Sequence, residues 1–190
     1  MSVQIAFEIP DADLARFAAM ANRFKSRMPT DMDPRTLARL VRAKLEGARE
    51  GGEVPDFILD RIQRLDMLAD MVEDVEWDLD GDELNRVQGA LFYFAEPSDV
   101  IPDRVPVLGF LDDALMVELT LQDFEPELTA YQKFCGFRIA ERQRREQQGL
   151  TTDVTKEDWL ADQRALLHRQ MRERRKVVAE THEGWKITLW

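Results

Sequence analysis

Four aspartates lie in one proline-rich stretch in the middle of the chain, and carboxylates are the side chains that bind hard divalent cations. They are Asp99, Asp103, Asp112 and Asp113. If the stretch folds back on itself, the four side chains could converge, and a cation would offset the repulsion between them. The pattern therefore raises the hypothesis of a Mg²⁺ or Ca²⁺ site, and with it a metal-dependent enzyme that acts on a phosphate ester.

A structural role explains the same aspartates without a metal, and we favour it. Asp99 would accept backbone N–H bonds within the turn. Asp112 and Asp113 would occupy the first turn of a helix, where the helix dipole stabilises negative charge. No histidine accompanies the cluster, and its spacing does not match the Asp-x-Asp-x-Asp-Gly pattern of an EF-hand loop. On this interpretation no cofactor is expected.

Other catalytic patterns are absent from the sequence. The two histidines, His168 and His182, have no second histidine or cysteine at zinc-ligand spacing. The single cysteine, Cys135, follows Phe134, and we interpret it as a small hydrophobic residue rather than a catalytic thiol. The sequence thus favours a non-enzymatic protein-interaction or scaffold module. The alternative is an enzyme that uses the aspartate cluster.

The charge of the chain is unevenly distributed. The net charge is −11, yet residues 131–190 hold 13 basic and 9 acidic side chains. Basic stripes at helical spacing could follow a nucleic acid, but the negative charge of the whole protein opposes that partner. We therefore expect the stripes to be solvated or to dock on the acidic body of the same chain, and as an interaction arm they could engage another protein chain or support self-association. The residues of this predicted interaction arm are Arg138, Arg142, Arg145, Arg169, Arg172 and Lys176.

The composition, 44% hydrophobic and 33% charged residues, is that of a globular protein. The richest apolar stretch, residues 105–121, is interrupted by Asp112, Asp113 and Glu118, which excludes a membrane-spanning helix there. The N-terminus lacks the features of a secretory signal. Together with the single cysteine, these features predict a cytoplasmic protein.

The proline-rich stretch consists of two runs, PSDVIPD over 97–103 and VPVLGFLDD over 105–113. In these runs the chain resembles the YkvA-like family, whose signature is D-L-I-P-D-x-I-P-x-x-G-x-L-D-D. The resemblance covers about residues 84–120 and implies a bacterial protein with a helical hairpin and no established activity, cofactor or substrate. Membrane-associated relatives are more apolar after the turn than this chain, so peripheral membrane contact is disfavoured. The turn of the hairpin would be built on Pro97, Pro102, Pro106 and Gly109.

The hydrophobic spacing predicts an all-α protein of five or six helices around this hairpin. Helix signals begin near residues 11, 33, 55, 80, 111 and 155, and Pro126 should kink or split the fifth helix. Residues near the two ends alternate between apolar and polar, so the termini could pair as a small β-ribbon. We expect a helical domain over residues 1–149 and a basic helical arm with a terminal strand over 150–190.

Overall fold

A computed structural model confirms the all-α class. It describes residues 5–8, 28–29, 31–50, 56–95, 117–118, 121–181 and 186–189. Within these residues the helices that have defined bounds are α1 (Pro34–Glu50), α2 (Asp56–Glu73), α3 (Gly81–Ala95), α4 (Glu125–Gln147) and α5 (Ala161–Thr181). Two short strands, β1 (Ile5–Glu8) and β2 (Lys186–Leu189), complete the described elements.

The two strands form an antiparallel ribbon. Ile5 lies opposite Leu189, and Glu8 lies opposite Lys186. The alternation of apolar and polar residues near the termini predicted this pairing. The helix predicted to begin near residue 11 falls outside the described residues.

The chain divides into two compact units. The first unit contains β1, β2 and α1–α3, together with helical residues 117–118 and 121–122. The second unit contains Asp74–Asp78 and residues 123–181, which include α4 and α5. Asp74–Asp78 thus belongs to the second unit, although in the sequence it joins α2 and α3 of the first. The predicted boundary between residues 149 and 150 stays a prediction.

Helix α1 begins where the sequence predicts. The backbone N–H and the hydroxyl of Thr36 both donate to the carboxylate of Asp33, at 2.9 and 2.8 Å. These hydrogen bonds cap the helix and lower the pKa of Asp33. Pro34 occupies the first helical position, where its missing N–H has no consequence.

Helices α1, α2 and α3 pack against one another in the first unit. Arg42 of α1 joins three carboxylates of α2, at 3.0 Å from Asp66, 2.5 Å from Asp70 and 2.6 Å from Glu73. Partial burial disfavours the charged guanidinium, but the three ion pairs outweigh it and raise the pKa of Arg42. Part of the acidic face of α2 is therefore neutralised within its own unit. Fully buried residues of this core include Leu37, Val41, Leu68, Val87 and Leu91.

The long fifth helix of the sequence prediction is interrupted, as Pro126 suggested. The chain turns at Phe124, and α4 begins at Glu125 with Pro126 in its first turn. Proline fits there because the first N–H groups of a helix have no intrahelical acceptor. Gly149, with φ of 66°, takes the left-handed conformation just past the end of α4.

The predicted start of the last helix is wrong. Residues 154–156 and 159–160 form turns, and α5 begins only at Ala161. Asp153 accepts hydrogen bonds from the N–H and hydroxyl of Thr155, at 3.0 and 2.6 Å, while Glu157 pairs with Arg145 of α4. The polar residues that resemble a capping box therefore stabilise turns and a contact with α4.

Candidate functional site

The predicted aspartate cluster lies outside the part of the chain that the structure describes. Asp99, Asp103, Asp112 and Asp113, with the turn residues Pro97, Pro102, Pro106 and Gly109, lie outside the described residues. Among the residues that are described, no three or more His, Cys, Asp and Glu side chains are grouped so that they could hold a metal ion. The Mg²⁺ or Ca²⁺ site therefore stays a prediction.

The described part of the chain instead concentrates its polar contacts around Asp74–Asp78, which we call the DVEWD segment. One carboxylate oxygen of Asp74, Oδ1, accepts the N–H groups of Glu76 and Trp77, at 3.0 and 3.2 Å. The N–H of Asp78 donates to the carbonyl of Asp74 at 3.2 Å, and Asp78 has φ of 53°. Aspartate tolerates this left-handed conformation better than most residues. The segment is therefore a tight turn stabilised by its own first side chain.

Trp77 of the DVEWD segment is the aromatic centre of the second unit. Its side chain is completely buried. The ring centroids of Tyr131 and Phe134 on α4 lie 5.7 and 4.9 Å from that of Trp77. His168 on α5 packs edge-on at 4.3 Å. Such tilted and edge-to-face contacts are favourable beyond the burial of apolar area.

Side chains of α4 bind two of the three carboxylates of the segment. The second oxygen of Asp74, Oδ2, accepts the Tyr131 hydroxyl at 2.9 Å and Arg138 at 2.7 Å. Glu76 accepts Arg138 at 3.0 Å and Arg142 at 2.5 Å. Hydrogen bonds of this kind, with charged donors and acceptors, are stronger than neutral ones.

A third arginine binds the backbone of the segment. Arg164 of α5 donates to the carbonyl of Glu76 at 2.8 Å. Its guanidinium also pairs with Asp158 in the turn before α5. Both helices of the second unit thus hold the DVEWD segment, α4 by its carboxylates and α5 by its backbone.

The electrostatics at this site do not favour nucleophilic chemistry. Burial raises the pKa of the half-buried Cys135 thiol above its ordinary 9.0, although Tyr131 and Arg138 oppose that effect. Burial also raises the pKa of Tyr131, and the neighbouring Asp74 carboxylate raises it further. At neutral pH both groups keep their protons, so neither supplies an anion for catalysis.

The raised pKa of Tyr131 predicts a loss of stability at alkaline pH. The ordinary tyrosine pKa is 10.0, so above pH 10 the unfolded chain loses this proton while the folded protein retains it. The contribution of Tyr131 is then complete below pH 10 and declines above it, with a slope of up to about 1.4 kcal/mol per pH unit. Urea denaturation between neutral pH and pH 11 measures the slope.

Two variants test whether the decline in stability above pH 10 comes from Tyr131. Tyr131→Phe lacks the titrating hydroxyl and should show a shallower decline above pH 10, from a lower starting stability. Cys135→Ala removes the neighbouring thiol and should retain the tyrosine slope. Equal slopes in the wild type and in Tyr131→Phe would contradict the prediction.

The residues of the predicted interaction arm lie in three different environments. Arg138 and Arg142 bind the DVEWD segment. Arg145 is buried, donates to the carbonyl of Thr151 at 2.7 Å and lies over the ring of Trp159. The others are exposed on α5, namely Arg169, Arg172 and Lys176.

Several residues of the site were not singled out from the sequence. Asp74 and Glu76 lie in residues 56–83, a stretch with eleven carboxylates and only two bases, and nothing in the sequence distinguishes them from the other nine; Tyr131 falls in an apolar stripe at helical spacing. Glu127 of α4 is another such residue: it is 1% exposed, and its Oε1 lies 3.3 Å from Nε of Arg175 on α5. The only signal of this buried pair in the sequence was a carboxylate at a core-facing helical position, with arginines later in the chain.

Comparison with known proteins gives a family of unknown function. Residues 87–119 match the family model described as a protein of unknown function, DUF1232. The match coincides with the stretch that resembles the YkvA-like family. No curated protein and no solved structure matches the chain. None of the helices in the described ranges combines the length and apolar character needed to cross a membrane.

Proposed function

We propose that this chain is a cytoplasmic, non-enzymatic protein-interaction module, and that the C-terminal half of α5 is its contact surface. The supporting observation is the exposure of this half-helix. Of the nine residues from 169 to 177, seven are exposed and only Met171 is buried. We call this stretch the basic half-helix, because five of its residues are cations, namely Arg169, Arg172, Arg174, Arg175 and Lys176.

Three of the five cations of the basic half-helix are available to a partner. Arg169, Arg174 and Lys176 make no ion pair with any residue that the structure describes, and Glu173 is the only acidic residue among them. By contrast, Arg138 and Arg142 are already bound to carboxylates. An acidic partner would gain charge-assisted contacts without breaking existing ones.

The chemistry of the surface favours a protein partner over a nucleic acid. Val177 is 58% exposed beside the cations, which suits an amphipathic contact with an acidic, partly apolar chain. The net charge of −11 would repel a nucleic acid over a longer range. The partner that fits is an acidic segment of another protein with apolar residues at helical spacing.

Fluorescence anisotropy with a labelled probe peptide tests this proposal. The probe is a helical peptide of glutamate with leucine at every fourth position. We expect saturable binding to the wild type, weakened by about tenfold or more in the Arg169→Glu/Lys176→Glu variant, which removes two cations from one face.

The matched control is Lys133→Glu/Lys156→Glu, which makes the same change in net charge at two other exposed lysines of the second unit. This control should bind the peptide nearly as well as the wild type. Equal weakening in the two variants would reveal a non-specific charge effect and overturn the proposal. Tighter, steeply salt-dependent binding of a DNA duplex would favour a nucleic-acid function instead.

A further inference from the structure

The outward face of α5 carries an acidic residue in line with two cations of the basic half-helix. Asp162, Arg169 and Lys176 are all exposed, and they follow one another at intervals of seven residues. Seven residues make almost two full turns of a helix, so the three side chains lie close to one line. Leu167 and Met171, which are buried, lie on the opposite side of α5. The line therefore runs along the middle of the exposed face.

The charges on this line are separated along the axis of α5. Asp162 lies in the first turn of the helix, about 10.5 Å along the axis from Arg169 and about 21 Å from Lys176. Like the two cations, Asp162 makes no ion pair with any residue that the structure describes. Arg172 and Glu173 flank the line between the cations, and their opposite charges offset each other. A partner thus meets a negative end and a positive end.

A helical partner matches the spacing of these charges. Its own residues seven positions apart also lie about 10.5 Å apart on one face, so two acids can face the cations while a base faces Asp162. In an extended partner, side chains on one face recur about every 6.8 Å, which does not match this interval. Val177, exposed beside Lys176, offers an apolar contact next to the first acid. The line therefore fits a helix with two acids and one base at seven-residue intervals.

The order of the charges in the partner decides its direction. Because of the helix dipole, acidic residues stabilise a helix near its N-terminus and basic residues near its C-terminus. In a partner antiparallel to α5, the acids come first, opposite Lys176 and then Arg169, and the base comes last, opposite Asp162. A parallel partner would need the base first and the acids last, which its own dipole disfavours. The antiparallel direction therefore satisfies both the contacts with α5 and the partner helix itself.

We propose that the basic half-helix and Asp162 together bind a helix of the partner protein in the antiparallel direction. This inference rests on the proposed function, which gives an acidic protein segment as the partner. It adds the direction of that segment and a basic residue near its C-terminal end. Asp162 is the residue that sets the direction, because it attracts a base at that place and repels an acid.

Two peptides of equal composition test the direction. Both are the glutamate and leucine probe described above with one glutamate replaced by lysine, in the last turn of one peptide and in the first turn of the other. Fluorescence anisotropy should show that the wild type binds the peptide with the C-terminal lysine about threefold more tightly. In Asp162→Lys this preference should disappear.

The matched control is Asp82→Lys. Asp82 is also an exposed acid in the first turn of a helix, α3, so the substitution makes the same change in charge at the same kind of position. This control should keep the preference of the wild type. The variants are needed because a C-terminal lysine also stabilises the helix of the free peptide, an effect that is the same for every protein tested.

A nitroxide label shows the direction without any substitution in the protein. The label is placed at the N-terminus of the peptide with the C-terminal lysine, and nuclear magnetic resonance spectra of the wild type are recorded with it. The amide signals of Lys176 and Val177 should broaden more than those of Asp162 and Ala165, which lie about 20 Å away along the axis.

The outcomes separate this inference from the proposed function. Broadening centred on Asp162, equal binding of the two peptides to the wild type, or a preference that persists in Asp162→Lys would overturn the antiparallel arrangement. The proposed function would then stand, because the peptides still bind. If neither peptide binds to the wild type, the proposed function and this inference are both overturned.

Discussion

Replacing Trp77 with alanine should lower the free energy of unfolding by about 3–5 kcal/mol, the range found for removal of a large buried aromatic side chain. The indole is completely buried and contacts Tyr131, Phe134 and His168. Truncation would leave a cavity that rigid aromatic neighbours cannot fill. Urea denaturation followed by far-UV circular dichroism measures the loss, and hydrogen exchange on α4 and α5 locates it.

The neighbouring Val75 provides the control for this prediction. Val75 is 77% exposed, so Val75→Ala should change the stability by no more than about 0.5 kcal/mol. Trp77→Phe keeps an aromatic ring in the pocket and should lose less stability than Trp77→Ala. If Val75→Ala and Trp77→Ala were equally stable, the DVEWD segment would not be anchored by its tryptophan.

Helix starts and interruptions were predictable from the sequence where they depend on adjacent residues. Asp33 and Pro34 mark the start of α1 through a cap and a fixed dihedral angle, and both effects depend on adjacent residues. The interruption near Pro126 follows from the same kind of argument. The predicted start of α5 was wrong because Asp153 and Glu157 have partners in turns and on α4. A capping pattern in the sequence cannot reveal that these partners compete with the helix for the same side chains.

The site was predictable only in part, because its contacts are distant in the sequence. The basic spacing of Arg138 and Arg142 was recognised, and so was the acidic character of the stretch that contains Asp74 and Glu76. Their pairing spans more than 60 positions, and charge patterns alone do not specify which acid meets which base. From the sequence, Trp77 could be a core or a rim aromatic; its complete burial and its role as the anchor of the segment between α2 and α3 emerged from the fold.

Replacing Arg175 with methionine should lower the free energy of unfolding by about 3 kcal/mol, at the lower end of the range for breaking a buried ion pair. Glu127 is 1% exposed, whereas the Arg175 side chain is 26% exposed. The substitution takes one guanidinium away from a carboxylate that water does not reach, so the desolvation of that carboxylate is offset less well than in the wild type. Urea denaturation of the variant at neutral pH measures this loss.

Removing the charge of Glu127 should lower the free energy of unfolding less than removing the charge of Arg175. This asymmetry is the sharper test. Glu127→Gln keeps the shape of the side chain, and Arg175 is exposed enough to remain hydrated, so we expect a smaller loss than in Arg175→Met. The double variant Glu127→Gln/Arg175→Met removes both charges and should be more stable than Arg175→Met alone. A double variant that loses the sum of the two single losses would mean that the pair contributes packing rather than charge, and that the carboxylate of Glu127 depends on other groups for its stability in the core.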